Sequence, residues 1–367
     1  MRYAPPPGSP LLPLSESVLI TGGAGFIGSH LADELRAGGY RVRVLDSLVS
    51  QVHEGASTAE PDVLGDVRDP EVVHRALDGV DAVVHLAARV GVGQSMYEMA
   101  EYISANSHGT AVLLEALAER PVRKLVVASS MSIYGEGLYR GGDPGERTRE
   151  MLERREWDFP GFEPVPTPET KRPALSSIYA LTKYDQERAC LVAGAAYGIP
   201  TVALRLFNVY GPGQALSNPY TGVLAIFASR LLNGRAPRVF EDGEQRRDFV
   251  SVHDVVRALR LALERDGADG LAVNIGSGES ISIGELGGLL ARTLGSELAP
   301  EITGEFRVGD IRHCFADTTL ARETVGFEPQ VPLGTGIAEL AEWLAGQTAV
   351  DRVDDAAAEL ARRGLSG

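Results

Sequence analysis

Cysteine is scarce: two residues among 367. Cys190 and Cys314 are too few for a disulfide framework or a Cys-rich zinc site, so no metal is expected. Their isolation suits a reducing cytosol. No apolar run approaches the roughly 20 residues of a membrane-spanning helix, so no membrane partner is expected. The opening stretch MRYAPPPGSPLLPLSES has a proline cluster but no apolar core of signal-peptide length. Residues 1–16 therefore read as a flexible tail, and a cytoplasmic protein is expected. Basic residues are the minority, 35 Lys and Arg against 50 Asp and Glu, for a net charge of −15. That balance argues against a nucleic-acid partner and leaves room only for a local basic pocket. No internal repeat is visible. With 44% hydrophobic and 23% charged residues, disordered, collagen-like and coiled-coil chains are excluded.

Glycine is plentiful, at 42 residues, and its placement matters more than its number. Strands and helices alternate through the first two-thirds of the chain. Strands are expected at Ser17–Thr21, Arg41–Asp46, Asp62–Asp66, Ala82–Leu86, Lys124–Ser129 and Thr201–Leu206. Helices are expected at Phe26–Ala37, Ser95–Arg120 and Ser176–Tyr197. This order predicts an α/β fold, a doubly wound parallel sheet of Rossmann type. Strands such as LVVAS and AVVHLA are apolar throughout, as strands buried on both faces must be. After Asn208 the pattern changes to Pro and Gly clusters and shorter elements. A 17–207 domain is expected first, with an insert at 138–172. A smaller α/β lobe spans about 208–348, with some segments returning to the first domain, and 349–367 is a C-terminal tail with a helix.

Thr21-Gly-Gly-Ala-Gly-Phe-Ile-Gly28 follows the first strand and opens a helix. Gly22 permits a tight turn, Gly25 lets backbone approach a pyrophosphate, and Gly28 lets helix pack on strand. The helix N-terminus around Gly25, Phe26, Ile27 and Gly28 offers N–H groups to phosphates. Asp46 ends the second strand, where a carboxylate accepts hydrogen bonds from an adenosine ribose and repels a 2′-phosphate. Together these favour NAD over NADP. Asp66-Val67 and Leu86-Ala87-Ala88 end the third and fourth strands, at the carboxyl edge where such sheets bind ligands. Asp66 is expected to face the adenine, and the small Ala87 and Ala88 to let the cofactor lie close.

Tyr179-Ala-Leu-Thr-Lys183 puts a phenol and an ammonium on one helix face. A free phenol, with pKa about 10, is a poor base at neutral pH. A neighbouring Lys and a nicotinamide cation favour the phenolate, which then removes a proton from a hydroxyl while hydride leaves. Ser130, at the end of the fifth strand, is placed to hydrogen-bond the same oxygen.

These motifs resemble the extended short-chain dehydrogenase/reductases of the nucleotide-sugar epimerase/dehydratase family. The matching segments are TGGAGFIG (21–28), Asp46, HLAA (85–88), SSMSIYG (129–135), YALTK (179–183), RLFNVYGPG (205–213), RRDFVSVHDV (246–255) and RVGDIRH (307–313). The resemblance implies a Rossmann domain holding NAD and a C-terminal lobe holding a nucleotide diphosphate sugar. It implies a catalytic Ser130, Tyr179 and Lys183. It also implies sugar or diphosphate contacts from Ser130, Ser132, Tyr179, Asn208, Val223, Arg247, Arg307 and Asp310, although a surface ion pair is the plainer reading of either Arg. Arg suits phosphate because its fork makes bidentate, charge-assisted bonds. The family's dehydratases carry Asp-Glu after the Ser, and its decarboxylating members a Glu. Met131 and Ser132 stand there instead, which points to 4-epimerisation through a transient 4-keto sugar. Asn218-Pro-Tyr-Thr-Gly-Val-Leu-Ala-Ile-Phe227 and Glu241–Arg247 are most like dTDP-L-rhamnose 4-epimerases, which interconvert that sugar nucleotide with dTDP-6-deoxy-L-talose. The alternatives are a net 4-ketoreductase, an epimerase of UDP-glucose or UDP-glucuronate, and an idle NAD-sensing protein. The insert is read as a lid or as a surface excursion, with Trp157 and Phe159 its only evident anchors. The helices at 95–120 and 176–197 are where relatives pair, so a homodimer is expected.

Overall fold

A computed structural model describes residues 16–53, 60–218, 220 and 222–367. The expected tail at 1–15, and Pro219 and Thr221 of the 218–227 run, lie outside the described residues. Seven strands form one parallel sheet: β1 Ser17–Thr21, β2 Arg41–Asp46, β3 Val63–Leu64, β4 Ala82–His85, β5 Lys124–Ser130, β6 Thr201–Leu206 and β7 Ala272–Ile275. Their spatial order is β7-β6-β5-β4-β1-β2-β3, every pairing parallel. The order reverses between β1 and β4, so a crevice opens at their carboxyl ends, the ligand position of such sheets. All residues of β1, β5 and β6 are buried, which explains their unbroken apolar runs. Val63–Leu64 is shorter than the expected Asp62–Asp66, because it is an edge strand paired only with β2.

Helices α1 Phe26–Ala37, α2 Pro70–Ala76, α3 Gly109–Glu119, α4 Ile178–Tyr197 and α5 Val252–Glu264 pack on the sheet. Helices α1 and α5 bury Leu31, Leu35, Val255 and Leu259 against Val18, Ile20, Val126 and Leu204 on one face. Helices α2, α3 and α4 bury Val73, Leu113, Leu117 and Leu191 against Leu19, Val83, Leu125 and Val127 on the other. Each such side chain, fully buried, contributes roughly 1.5–3 kcal/mol. Ser177 caps α4 by accepting from the Ala180 N–H at 3.1 Å, and Gly198 ends it in the left-handed region at φ 68°. The helix expected at 95–120 begins at Met99 and is interrupted at Ile103–His108 by a wide i→i+5 turn. Such a turn often marks a functional site. Here it carries Asn106, whose amide spans the Arg89 backbone and Thr182 of α4.

Beyond β6 the chain builds a second cluster. Helices Val223–Leu232, Ile283–Thr293 and Leu333–Leu344 pack Phe227, Leu286, Leu290, Ile337 and Leu340 together. Short strands Asn208–Tyr210 and Phe249–Ser251 pair in parallel, as do Arg246–Arg247 and His313–Cys314. Strand β7, α5 and the helix Thr319–Val325 return to the large sheet. Glu16, which the sequence reading put in the tail, is buried and pairs with Arg123 at 2.5 Å. The C-terminal stretch forms the helix Val353–Arg362, and its end is held: Phe306 N–H donates to the Gly367 carbonyl at 2.8 Å. No helix among the described residues is long and apolar enough to cross a membrane.

Candidate active site

The glycine loop follows from its own sterics. Gly22 has φ 70°, and a Cβ there would lie 2.8 Å from the Ala87 nitrogen. A Cβ on Gly28 would lie 2.5 Å from the Gly22 carbonyl oxygen and 2.6 Å from the Gly23 Cα. Neither position tolerates a side chain. A Cβ on Gly25, by contrast, would meet only the Gly22 oxygen, at 3.3 Å, so the loop presents bare backbone on that side. Gly25 caps α1 without a side-chain bond, and no acidic residue occupies the first turn containing Phe26, Ile27 and Gly28. An uncapped helix end facing a backbone cradle fits the pyrophosphate of a dinucleotide.

Asp46 ends β2 and braces this loop. Its carboxylate accepts from Ala24 N–H at 3.0 Å and Leu48 N–H at 2.9 Å, and His53 Nε2 stands 3.4 Å away. No motif in the sequence marks His53. Asp66, just beyond the end of the third strand, is paired within its own turn. Its carboxylate is held by the Arg68 guanidinium at 2.7 and 3.0 Å, which keeps it below the usual carboxylate range. Val67 is buried beside Gly109. Leu86 N–H donates to the Thr21 carbonyl at 3.0 Å, and Ala87 N–H donates to the Thr21 hydroxyl at 3.3 Å. Ala88 follows directly. The stretch 86–88 thus lies against the glycine loop.

Ser130 and Tyr179 come together at the carboxyl end of β5, with Lys183 one helical turn beyond Tyr179 on α4. The Ser130 hydroxyl donates to the Ser132 hydroxyl at 3.1 Å and accepts from the Ser132 N–H at 3.2 Å, and it stands close enough to the Tyr179 phenol to oppose the effect of burial there. The Tyr179 backbone N–H donates to Ser95 Oγ at 3.0 Å, and its ring meets Tyr102 edge-on at 6.5 Å. Burial pushes the Tyr179 phenol above its ordinary value, with Ser130 pulling the other way. Burial brings the Lys183 ammonium down to about 8. The expected direct influence of Lys183 on the phenol is not what this structure has. The ammonium is turned along the helix and donates to Gln186 Oε1 at 2.7 Å.

The second cluster meets this crevice. Asn208 has a buried Oδ1 with no hydrogen-bond partner among the described residues, the pattern of a group reserved for a ligand. Val223 begins its helix, half-buried, after Gly222. Arg247 donates to the backbone carbonyls of Arg246 and Arg312, each at 3.0 Å, and to that of Ile311. Arg307 lies over the Phe240 ring at 4.6 Å and pairs with Asp310 at 2.7 Å. Burial opposes the Asp310 charge, but Arg307 and Arg247 hold its carboxyl below the usual range.

The insert is tied into this cluster more firmly than Trp157 and Phe159 suggest. Its Tyr139 and Phe159 are buried and stack edge-on at 5.6 Å. Its Arg147 side chain is almost wholly buried, donating to Glu241 at 2.8 Å and to the Asp310 carbonyl at 2.8 Å. Its Asp158 accepts from Arg312 at 2.7 Å. Pairs so distant in sequence leave no local period to read.

With this geometry in view, comparison with known proteins is direct. A profile of the NAD dependent epimerase/dehydratase family matches residues 18–276. The dTDP-L-rhamnose 4-epimerase of Burkholderia thailandensis is 36% identical over 347 residues, covering 90% of this chain and 95% of that protein. The crystal structure of a Thermotoga maritima UDP-glucose 4-epimerase with UDP-glucose superposes with a TM-score of 0.76 at 34% identity, covering 90% of this chain and 98% of that one. A Thermus thermophilus UDP-glucose 4-epimerase in complex with NAD gives 0.74 at 32%, covering 90% and 100%.

Proposed function

The chain belongs to the NAD dependent epimerase/dehydratase family, and from that premise we propose that it interconverts C4 epimers of a nucleotide diphosphate sugar. We infer dTDP-L-rhamnose and dTDP-6-deoxy-L-talose as the pair. NAD is the cofactor, and the uncapped α1 terminus, bare Gly25 and Asp46 suit it. The observation that carries the reading is the Ser130–Tyr179–Lys183 cluster followed by Met131 and Ser132 rather than carboxylates. Water loss needs an acid and a base at neighbouring carbons, and this edge of the pocket supplies neither. The relative at 36% identity supports the sugar assignment, and the UDP-glucose epimerase at 34% makes UDP-glucose the second candidate.

The residues divide the work. Tyr179 takes the proton of the sugar 4-hydroxyl and later returns it. Ser130, beside that phenol, donates to the same sugar oxygen and steadies its developing charge. Lys183, one helical turn from Tyr179 and held by Gln186, is the cation that would favour a phenolate once its ammonium turns toward the phenol. Asn208, Arg247, Arg307 and Asp310 hold the nucleotide diphosphate, leaving the sugar able to present either face. NAD, when bound, accepts and returns the hydride.

Proton NMR with NAD, dTDP-L-rhamnose, UDP-glucose and UDP-glucuronate in D2O tests the reading. The expected product is the C4 epimer of the dTDP sugar with no deuterium at C4, the sign of internal hydride return. Deuterium entering beside a keto carbon would instead mean enolisation, and the 4-epimerase reading would fall. Epimerisation of UDP-glucose alone would keep the reaction and change the sugar.

A homodimer is part of the same proposal. Met99 and Ile103, 46% exposed each, and Leu181 and Val192, 45% and 60% exposed, put apolar surface on the two helical segments that pack on each other. Contiguous apolar surface of this kind favours association. Light scattering should give twice the chain mass, and Leu181→Glu with Val192→Glu should halve it. A wild-type monomer would remove the claim.

A further inference from the structure

The catalytic description leaves one buried side chain unexplained. Gln186 lies one turn beyond Lys183 on α4, is buried, and uses both ends of its amide. Its Oε1 accepts from Lys183 Nζ at 2.7 Å. Its Nε2 donates to Thr110 Oγ1 at 2.8 Å and to the Ala87 carbonyl at 3.3 Å. Thr110 can only accept there, because its own hydroxyl donates to the Asn106 carbonyl at 2.6 Å. Turning the amide over would set –NH2 against an ammonium and oxygen against a carbonyl, so its neighbours fix a single orientation.

The network runs on to the glycine loop. His85 Nε2 lies 2.9 Å from Thr110 Oγ1, and His85 Nδ1 lies 2.7 Å from Thr21 Oγ1. The Ala87 N–H donates to Thr21, and Thr110 donates to the Asn106 carbonyl. His85 Nε2 also lies 3.2 Å from Gln186 Nε2, so the imidazole joins Thr21, Thr110 and Gln186 whichever ring nitrogen carries its proton. Burial brings His85 down to about 3, so it stays neutral. The other groups around Lys183 are accounted for. Glu187 is held by Arg205 and Ser129. The Cys190 thiol is pushed up to about 12 by burial and stays protonated. Burial raises the Tyr179 phenol above its ordinary value, with Ser130 opposing. Gln186 is thus the direct acceptor of the Lys183 ammonium, and the glycine-loop strand β1 braces it through β4 and α3.

We propose that Gln186 is a positioning residue, its Oε1 fixing the place and the charge of the Lys183 ammonium beside Tyr179. The proposal rests on the reading of Tyr179 and Lys183 as the proton-transfer pair, but its first test does not need turnover. The chain has three lysines, Lys124, Lys171 and Lys183. Lysine labelled with 13C at Cε therefore gives three resonances, with Lys183 identified by its loss in Lys183→Arg. In the cofactor-free full chain the wild-type signal should titrate near 8. Gln186→Glu, nearly isosteric, places an opposite charge against the ammonium and should raise the midpoint by about one unit or more. Gln186→Met removes the acceptor and should lower it by about half a unit. The alkaline limb of the epimerisation profile should move in the same two directions. A role confined to packing would lower activity at every pH and leave the midpoints alone. Midpoints that stay put, or move the same way in both variants, overturn the proposal. Opposite shifts in a wild-type protein that turns over no sugar would sustain the coupling and overturn the assigned reaction instead.

Discussion

Tyr179→Phe should abolish epimerisation while leaving NAD bound. The substitution removes one oxygen and nothing else. The ring keeps its edge-on contact with Tyr102, and the backbone N–H keeps its bond to Ser95. The proton acceptor for the sugar hydroxyl is lost. General-base catalysis contributes roughly 10²–10⁴-fold, and no other titratable group is positioned by Ser130 to take over. Lys183 points along the helix to Gln186, and Ser132 is a neutral hydroxyl 3.1 Å from Ser130. Turnover should therefore fall by about 10³-fold or more, measured as kcat on the responding nucleotide sugar. NAD affinity, measured by titration in the same preparation, should change less than about 3-fold, which at RT ln 3 is below the energy of an ordinary hydrogen bond. Residual epimerisation above a tenth of wild type would remove Tyr179 as the base. Loss of NAD together with turnover would mean that the phenol is a binding group first.

Such a site is partly legible in the sequence. The glycine loop was readable because its constraints are local: Gly22 and Gly28 meet backbone within the same strand–turn–helix unit. Tyr179 and Lys183 were readable because i and i+4 share a helix face, and β5 because a strand buried on both sides is apolar throughout. The partners of these groups were not readable. Asp66 stands at a strand end, but its pairing with Arg68 depends on how the following turn folds. Thr21 meets His85 64 residues away, and Arg147 of the insert meets Glu241 94 residues away. No period or motif marks such pairs in advance. The wide turn carrying Asn106 was hidden for a different reason. An extra residue in a helical turn leaves the apolar repeat nearly intact, so 95–120 reads as one helix. Lys183 illustrates the consequence. Its place on α4 followed from the sequence, whereas its direction was set by Gln186, Thr110 and His85, residues contributed by three different elements.

Arg205→Met should cost the fold more than any substitution at the reacting groups. Arg205 on β6 is buried and makes four bonds. It donates to Glu187 through Nε at 2.9 Å and a terminal nitrogen at 2.7 Å, to the Tyr134 hydroxyl at 2.8 Å, and to the Glu169 carbonyl at 3.1 Å. Glu187 sits eight residues after Tyr179 on the same helix and also accepts from Ser129 at 2.7 Å. The pair therefore fastens α4, with its Tyr179 and Lys183, to the two strands that carry Ser129, Ser130 and Arg205. Met fills much of the Arg volume but leaves the Glu187 carboxylate buried with only Ser129. Removing one partner of a buried pair costs about 3–5 kcal/mol, because the remaining charge keeps its desolvation penalty. At roughly 2–4 °C per kcal/mol this lowers Tm by about 6–20 °C. Removing both charges, in Arg205→Met with Glu187→Met, should recover more than half of that loss, since no charge is then stranded. Thermal unfolding of the two variants beside wild type measures both quantities. A single variant within about 1 kcal/mol of wild type would mean that Glu187 finds water or a proton without the Arg, and that apolar packing alone holds α4. A double variant no better than the single would place the loss in the Tyr134 and Glu169 bonds, which both variants give up.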